Sequence, residues 1–115
     1  MKRNLKRKSA KRSRALQERL SEARRDLDRI VRHIAETYQP RRIYQWGSLV
    51  DGKHFSERSD IDIALEGITD AATFFSILAD AESMTRFPVD IVQMETIHPA
   101  YAESIRARGR VIYEQ

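Results

Sequence analysis

The feature that most constrains the fold is a run of alternating acidic and apolar residues, DIDIAL, over residues 60–65. Such alternation is typical of a β-strand that buries one face and leaves the other accessible. In a strand, Asp60 and Asp62 share one face while the isoleucines and the leucine share the other. The sequence therefore predicts a strand over 60–66 that carries two carboxylates about 6–7 Å apart.

The rest of the chain alternates between helical and strand patterns. Five apolar residues recur at helical spacing before Pro40 and predict a helix over 13–38. They are Leu16, Leu20, Leu27, Ile30 and Ile34. Further strands are predicted over 42–46, 88–94 and 110–114, and further helices over 70–86 and 99–108. The predicted fold class is α/β (α+β), with a mixed β-sheet of about four strands flanked by helices.

The basic charge of the chain is concentrated at its start. The 115 residues carry a net charge of +4, but residues 1–14 alone hold eight Lys and Arg and no acid. A run of like charges repels itself, so residues 1–12 are predicted to form a disordered basic tail. Residues 13–115 are predicted to form one domain. The tail is suited to weak contact with RNA, and a plain solubilising tail is the alternative.

Composition excludes several kinds of protein. The chain has no cysteine, which excludes disulfide frameworks, thiolate metal sites and cysteine nucleophiles. No apolar run approaches the roughly 18 residues of a membrane span, and the basic start lacks the apolar segment of a secretory signal. We therefore expect a protein without membrane contact that works in the cytoplasm.

A third carboxylate completes a candidate metal site. Asp90 lies in the apolar strand pattern VDIV, and the residues between Asp62 and Asp90 are enough for one crossover helix. Asp90 is therefore expected beside Asp60 and Asp62 in the sheet. Three clustered carboxylates suit Mg²⁺ or Mn²⁺, the ions that assist phosphoryl or nucleotidyl transfer.

The pair Gly47-Ser48 is a candidate phosphate site. It follows a strand pattern, and a glycine at a turn lets the backbone approach a ligand closely. The amides of a following helical turn favour an anion, and a serine hydroxyl can donate to a phosphate oxygen. The alternative is that Ser48 only caps a short helical turn over residues 49–51.

Two further groups of residues have simpler interpretations. His54 lies in the loop beside the candidate site, where it either contacts phosphate or acceptor or is an ordinary loop residue. Tyr44 and Trp46 are predicted to belong to the core rather than to form a base-stacking platform.

These motifs resemble a known family. GSLVDGKHFSERSDIDIAL, followed by VDIVQ and GRVIYE, resembles the minimal nucleotidyltransferases of the DNA polymerase beta-like superfamily. The resemblance implies the nucleotidyltransferase fold, with Gly47 and Ser48 on the nucleotide phosphates. It also implies that Asp60 and Asp62 ligate the metals and that Asp90 completes the site, as a ligand and as a base for the acceptor hydroxyl.

The resemblance also implies a partner and a substrate. Members of this group are often paired with a helical HEPN-type toxin, so an antitoxin that transfers AMP from ATP to a tyrosine of the toxin is expected. The alternative is a binding antitoxin with a vestigial site that neutralises its partner by occlusion. A homo-oligomer remains open.

One position departs from the family pattern. Asp51 stands where relatives often have an arginine, and an acid at this position disfavours a triphosphate. Lys53 or Arg58 is the candidate for supplying the missing positive charge.

Overall fold

The computed structural model describes residues 2–50, 52, 56 and 60–115, and for residues 2–12 and 48 it describes the backbone alone. Three helices and four strands lie within these residues, with one 3-10 turn at Gly47–Leu49. They are α1 (Lys2–Tyr38), β1 (Arg42–Trp46), β2 (Ile61–Glu66), α2 (Ala71–Ser83), β3 (Val89–Gln93), α3 (Pro99–Arg108) and β4 (Arg110–Glu114). In the described part of the chain, no helix has both the length and the apolar character needed to cross a membrane.

The four strands form one mixed sheet in the order β3-β2-β1-β4. Strand β1 lies between β2 and β4 and runs antiparallel to both. Strands β2 and β3 run parallel, and α2 makes the crossover that parallel neighbours need. The predicted mixed sheet of four strands with flanking helices is confirmed.

The helices cover the two faces of the sheet unequally. Helices α1 and α2 pack on one face, where the larger core contains Ile61, Ile63 and Leu65 of β2. Helix α3 packs on the other face, against Tyr44 and Ala64. Because side chains alternate along a strand, Asp62 belongs to the face that α3 only partly covers.

Helix α1 differs from its prediction at its start and agrees with it at its end. The helix begins at Lys2, so the backbone of the basic segment is helical where the charge pattern predicts disorder. Lysine, arginine and alanine are strong helix formers, and nothing in the segment interrupts the helix. The helix ends at Tyr38, where Gln39 adopts a left-handed conformation (φ 51°) before Pro40. The division into a tail of residues 1–12 and a domain of 13–115 stays a prediction.

The starts of the two shorter helices follow from their caps. The carboxylate of Asp70 accepts a hydrogen bond from the backbone N–H of Thr73 at 2.9 Å, as expected of an N-cap. Helix α3 begins with Pro99 after His98, whose ring nitrogen accepts from the N–H of Ala100 at 3.1 Å. Helix α2 ends at Ser83, three residues before the predicted end.

Candidate active site

Two of the three predicted carboxylates are direct neighbours in the sheet. Asp62 of β2 is paired in register with Asp90 of β3, and the two strands are parallel. Residues paired in this way point to the same face from backbones about 4.8 Å apart. Val92, two residues after Asp90, packs in the core under α3, so the face is the one that α3 partly covers. The prediction that Asp90 lies beside Asp62 is confirmed.

The third carboxylate stands next to this pair. Asp60 precedes the first residue of β2 by one position and is half-buried, whereas Asp90 is exposed. Partial burial raises the pKa of Asp62 from its usual 3.8 to about 7, and the charges of Asp90 and Asp60 add to this increase. The three acids therefore form one cluster of negative charge, with Asp90 as its most exposed member.

This cluster fits a hard divalent cation by its chemistry. Its donors are carboxylate oxygens, the ligands that Mg²⁺ and Mn²⁺ prefer. Burial raises the pKa of Asp62 most, and repulsion from Asp90 and Asp60 adds to the increase; a bound cation would relieve this repulsion. As the side chains stand, however, no three His, Asp or Glu residues among those described lie close enough together to hold one metal ion. Because like charges repel, the three carboxylates would come closer together only with a cation between them.

Gly47 brings the backbone directly against the carboxylate cluster. Its φ of 80° is in the left-handed region, which glycine adopts without strain. A Cβ added to Gly47 would lie 2.9 Å from Cγ of Asp62 and closer still to a carboxylate oxygen. Any residue other than glycine would therefore displace Asp62, whereas the contact of Gly47 with phosphate stays a prediction.

The turn that follows Gly47 corrects one prediction. Ser48 does not cap the turn, because the 3-10 helix spans Gly47–Leu49 and its N-cap is Trp46, without a side-chain cap hydrogen bond. Gly47 already starts the turn, so Ser48 lies one residue inside it. Its side chain is outside the described residues, and its contact with phosphate stays a prediction.

Helix α1 supports this turn from the opposite side. The guanidinium of Arg24 lies 3.4 Å from the carbonyl oxygen of Leu49. Gly52 (φ 74°) leaves room for it, because a Cβ there would lie 2.9 Å from Nη2 of Arg24. Arg24 thus helps to hold the loop that begins at Gly47, a role that the helical pattern of α1 alone does not indicate.

A cleft opens beside the carboxylates, between Trp46 and α3. It has a volume of about 440 Å³, and Gly47 and Tyr101 are among the residues that line it. The rings of Trp46 and Tyr101 meet edge to face, 5.6 Å between centroids. Burial raises the pKa of the Tyr101 hydroxyl, and the charges of Asp90 and Asp62 raise it further, so Tyr101 lies near the acids.

The aromatic residues were only partly predicted. Tyr44 lies in the core as expected, whereas Trp46 is half-buried and forms a wall of the cleft. The indole N–H of Trp46 is buried without a hydrogen-bond partner in the described chain, so packing alone fixes the ring. The sequence prediction missed Tyr101, although its spacing from Ser104 and Arg108 (three and seven residues) indicates one helical face.

The loop between the turn and β2 holds the remaining predicted residues. Lys53 and Arg58, the candidate phosphate-binding cations, lie outside the described residues. The same applies to Asp51 and His54. Their roles stay predictions.

Comparison with solved structures identifies the fold. A toxin-antitoxin crystal structure with AMP-PNP matches with a TM-score of 0.66 and 20% identity, covering 77% of this chain and 73% of that one. The MntA-HepT toxin-antitoxin matches with a TM-score of 0.61 and 17% identity, over 80% and 73% of the two chains. At these identities the similarity shows a shared fold.

The sequence itself identifies the family. No curated protein matches the chain. The family model described as "Polymerase beta, Nucleotidyltransferase" matches residues 29–115, which include all three aspartates and the glycine turn. Because this match covers well over half of the chain, the protein belongs to the polymerase beta nucleotidyltransferase family.

Proposed function

We propose that the protein is a metal-dependent nucleotidyltransferase that transfers AMP from ATP to a hydroxyl group. The observation that carries this proposal is the pairing of Asp62 with Asp90 across parallel strands, with Asp60 beside them. Membership of the nucleotidyltransferase family supports the reaction class.

Each part of the site has a task in this reaction. Asp60, Asp62 and Asp90 would hold Mg²⁺ or Mn²⁺, and a bound ion would supply positive charge to the phosphates during transfer. Gly47, pressed against Asp62, puts backbone amides next to the same phosphates. Ser48 adds a hydroxyl donor in this proposal, and Lys53 or Arg58 adds a positive charge.

The proposed chemistry is an in-line displacement. The acceptor hydroxyl gives its proton to Asp90, the most exposed of the three carboxylates and so the one that an incoming acceptor reaches. The acceptor oxygen bonds to the α-phosphorus while the bond from that phosphorus to the bridging oxygen of the β-phosphate breaks. Pyrophosphate leaves, and the acceptor carries AMP.

The choice of substrates rests on the similar structures. One of them was solved with AMP-PNP, which supports an adenine nucleotide as the donor. Others are complexes of MntA with its toxin, which support a HEPN-type toxin as the partner. We propose a tyrosine of that toxin as the acceptor, and the cytoplasm, where ATP is available, as the location.

The test is an adenylylation assay with matched variants. The protein is incubated with ATP, Mg²⁺ and a helical partner protein encoded by a neighbouring gene, and the partner is examined by mass spectrometry for added AMP. We expect the wild type to modify the partner and Asp62→Asn to lose at least about 100-fold of the activity. Glu82 is an exposed residue of α2, which packs on the other face of the sheet, so Glu82→Gln should retain full activity.

Two outcomes of this assay would contradict the proposal. One is transfer by Asp62→Asn at the rate of the wild type. The other is absence of any AMP on the partner although the wild-type protein binds it.

A second candidate is an antitoxin that acts by binding alone. The observation in its favour is that no three acidic or histidine side chains of the described chain are yet grouped closely enough for a metal. It predicts that a variant with both Asp60→Asn and Asp62→Asn still protects cells from the toxin. Loss of protection in that variant, with the complex still formed, would exclude it.

A further inference from the structure

The cleft beside Trp46 borders the carboxylate cluster. Gly47 lines the cleft and also touches Asp62, so the two sites share this residue as a boundary. Tyr101, which lines the cleft from α3, lies within reach of the charges of Asp90 and Asp62. A molecule with phosphates at Gly47 and Asp62 would therefore have its remaining part at the mouth of this cleft.

The lining of the cleft suits a flat, polar ring. Trp46 and Tyr101 offer aromatic surface, and 41% of Tyr101 is exposed and available for contact. The guanidinium of Arg108 and the hydroxyl of Ser104 are also at the cleft, and can stack on a ring or hydrogen bond to it. The Trp46 indole makes no hydrogen bond within the described chain, so packing alone holds the ring that a base would contact. Base stacking on aromatic side chains contributes about 1–3 kcal/mol per base.

The order of the strands separates the cleft from the side of acceptor entry. The cleft lies toward β1 and β4, at Trp46 and Gly109, whereas Asp90 lies on β3 at the opposite edge of the sheet. Asp62, on β2, stands between them. An acceptor that approaches Asp90 therefore leaves the cleft free for the other substrate.

We infer that the cleft between Trp46 and α3 binds the nucleoside part of the triphosphate, with the base against Trp46 and Tyr101. This inference rests on the proposed function. The volume of the cleft, about 440 Å³, is within the range of small-ligand sites, about 300–1,000 Å³, and so is adequate for a nucleoside.

The chain contains its own reporter for this site. Trp46 is the only tryptophan, so its fluorescence reports directly on the cleft. We expect ATP and adenosine, each with Mg²⁺, to change the Trp46 emission in a saturable manner. Inorganic tripolyphosphate, which lacks a nucleoside, should bind the phosphate site and leave the emission nearly unchanged.

A pair of variants on α3 tests the location. Ser104→Phe fills the cleft from an exposed position, and Glu103→Phe adds the same ring next to it but outside the cleft. We expect Ser104→Phe to weaken ATP binding about tenfold and to leave tripolyphosphate binding unchanged. Glu103→Phe should change neither. Circular dichroism of both variants checks that they fold.

The possible outcomes are distinguishable. Equal affinity of the wild type for ATP and tripolyphosphate, with no emission change, would overturn this inference and leave the proposed function intact. Loss of transfer in Ser104→Phe with unchanged ATP binding would assign the cleft to the acceptor and would also overturn it. Failure of the wild type to bind any triphosphate would contradict the proposed function itself.

Discussion

At the scale of single residues, Asp62 is held where an ionised carboxylate is unfavourable. It is half-buried, Gly47 presses against it, and two further acids are its neighbours. Residues at catalytic sites often reduce stability in this way, because the arrangement is made for a ligand rather than for the fold. The raised pKa of Asp62 therefore leads to a prediction about stability.

The substitution Asp62→Asn should stabilise the protein at neutral pH when no divalent metal is present. At pH values well below the ordinary pKa of 3.8 the carboxyl is protonated in both states, and little difference is expected. Between pH 4 and about 7 the Asp62 carboxyl is ionised in the unfolded chain but still largely protonated in the folded protein, because its pKa in the folded protein is raised to about 7. The wild type therefore loses stability as the pH rises through this range. The full shift corresponds to about 4 kcal/mol, which solvent screening of a half-buried group reduces to about 1–2 kcal/mol.

Urea unfolding in EDTA, at about pH 4 and about pH 8, measures this difference. Asp28→Asn, an exposed acid of α1, is the control and should have little effect at either pH. Adding Mg²⁺ should stabilise the wild type more than Asp62→Asn. Equal stability of wild type and Asp62→Asn at pH 8 in EDTA would contradict the placement of Asp62 among like charges.

The sequence predicts the acidic residues of the site better than the cleft beside them. Alternation places Asp60 and Asp62 on one face, and a crossover of suitable length places Asp90 next to them. The part played by Tyr101 depends on how α3 packs across the sheet onto Trp46, which is a tertiary contact. Local patterns do not contain that information.

At the scale of elements, α1 holds the sheet through its apolar stripe. Leu20, Leu27, Ile30 and Ile34 of the predicted stripe are all buried against the sheet. Leu16 lies on the same stripe but is only half-buried. Burial of this stripe stabilises α1 far more than its helix propensity does.

Truncation of the stripe should destabilise the whole domain. Ile30 is fully buried, and Ile30→Ala removes three methyl or methylene groups and leaves a cavity between α1 and the sheet. We expect a loss of about 2–5 kcal/mol in the free energy of unfolding. Thermal or urea unfolding measures it, with Asp28→Ala on the exposed side of α1 as the matched control. A loss below about 1 kcal/mol would contradict the packing of α1 described above.

The elements with clear boundary signals agree with their predictions. Strands β1 and β4 and helix α3 have their predicted bounds, because turn residues or proline flank each of them. The start of α1 does not, since the charge repulsion that predicts disorder competes with strong helix propensity. The prediction that Ser48 caps the turn is wrong, because Gly47 is already the first residue of the turn.

At the scale of the whole molecule, most of the excess basic charge precedes the first buried residue of the described chain. The buried residues of the described chain begin at Leu20, whereas the basic charge is concentrated before residue 15. Strand order is likewise a property of the whole molecule. The sequence predicts that β2 and β3 are neighbours, but the position of β1 between β2 and β4 follows only from the complete packing.

Deletion of residues 1–12 should leave the fold and the proposed transfer unchanged. The deletion removes none of the residues that the described part of the chain buries, so we expect the melting temperature to shift by less than about 2 °C. If the segment binds RNA, the full chain should show weak, salt-dependent binding to a single-stranded RNA, and the deletion variant should lose it. A large drop in melting temperature would instead make the segment part of the domain.

Under the proposed function, Asp60, Asp62 and Asp90 gather around divalent ions that hold a triphosphate. The most direct measurement is a crystal structure of the wild type with Mn²⁺ and a non-hydrolysable ATP analogue, with anomalous diffraction to locate the metal. We predict an anomalous peak within ligand distance of the carboxylates of Asp60, Asp62 and Asp90 and of phosphate oxygens beside Gly47. A well-ordered nucleotide whose Mn²⁺ lies away from these three carboxylates would contradict the account.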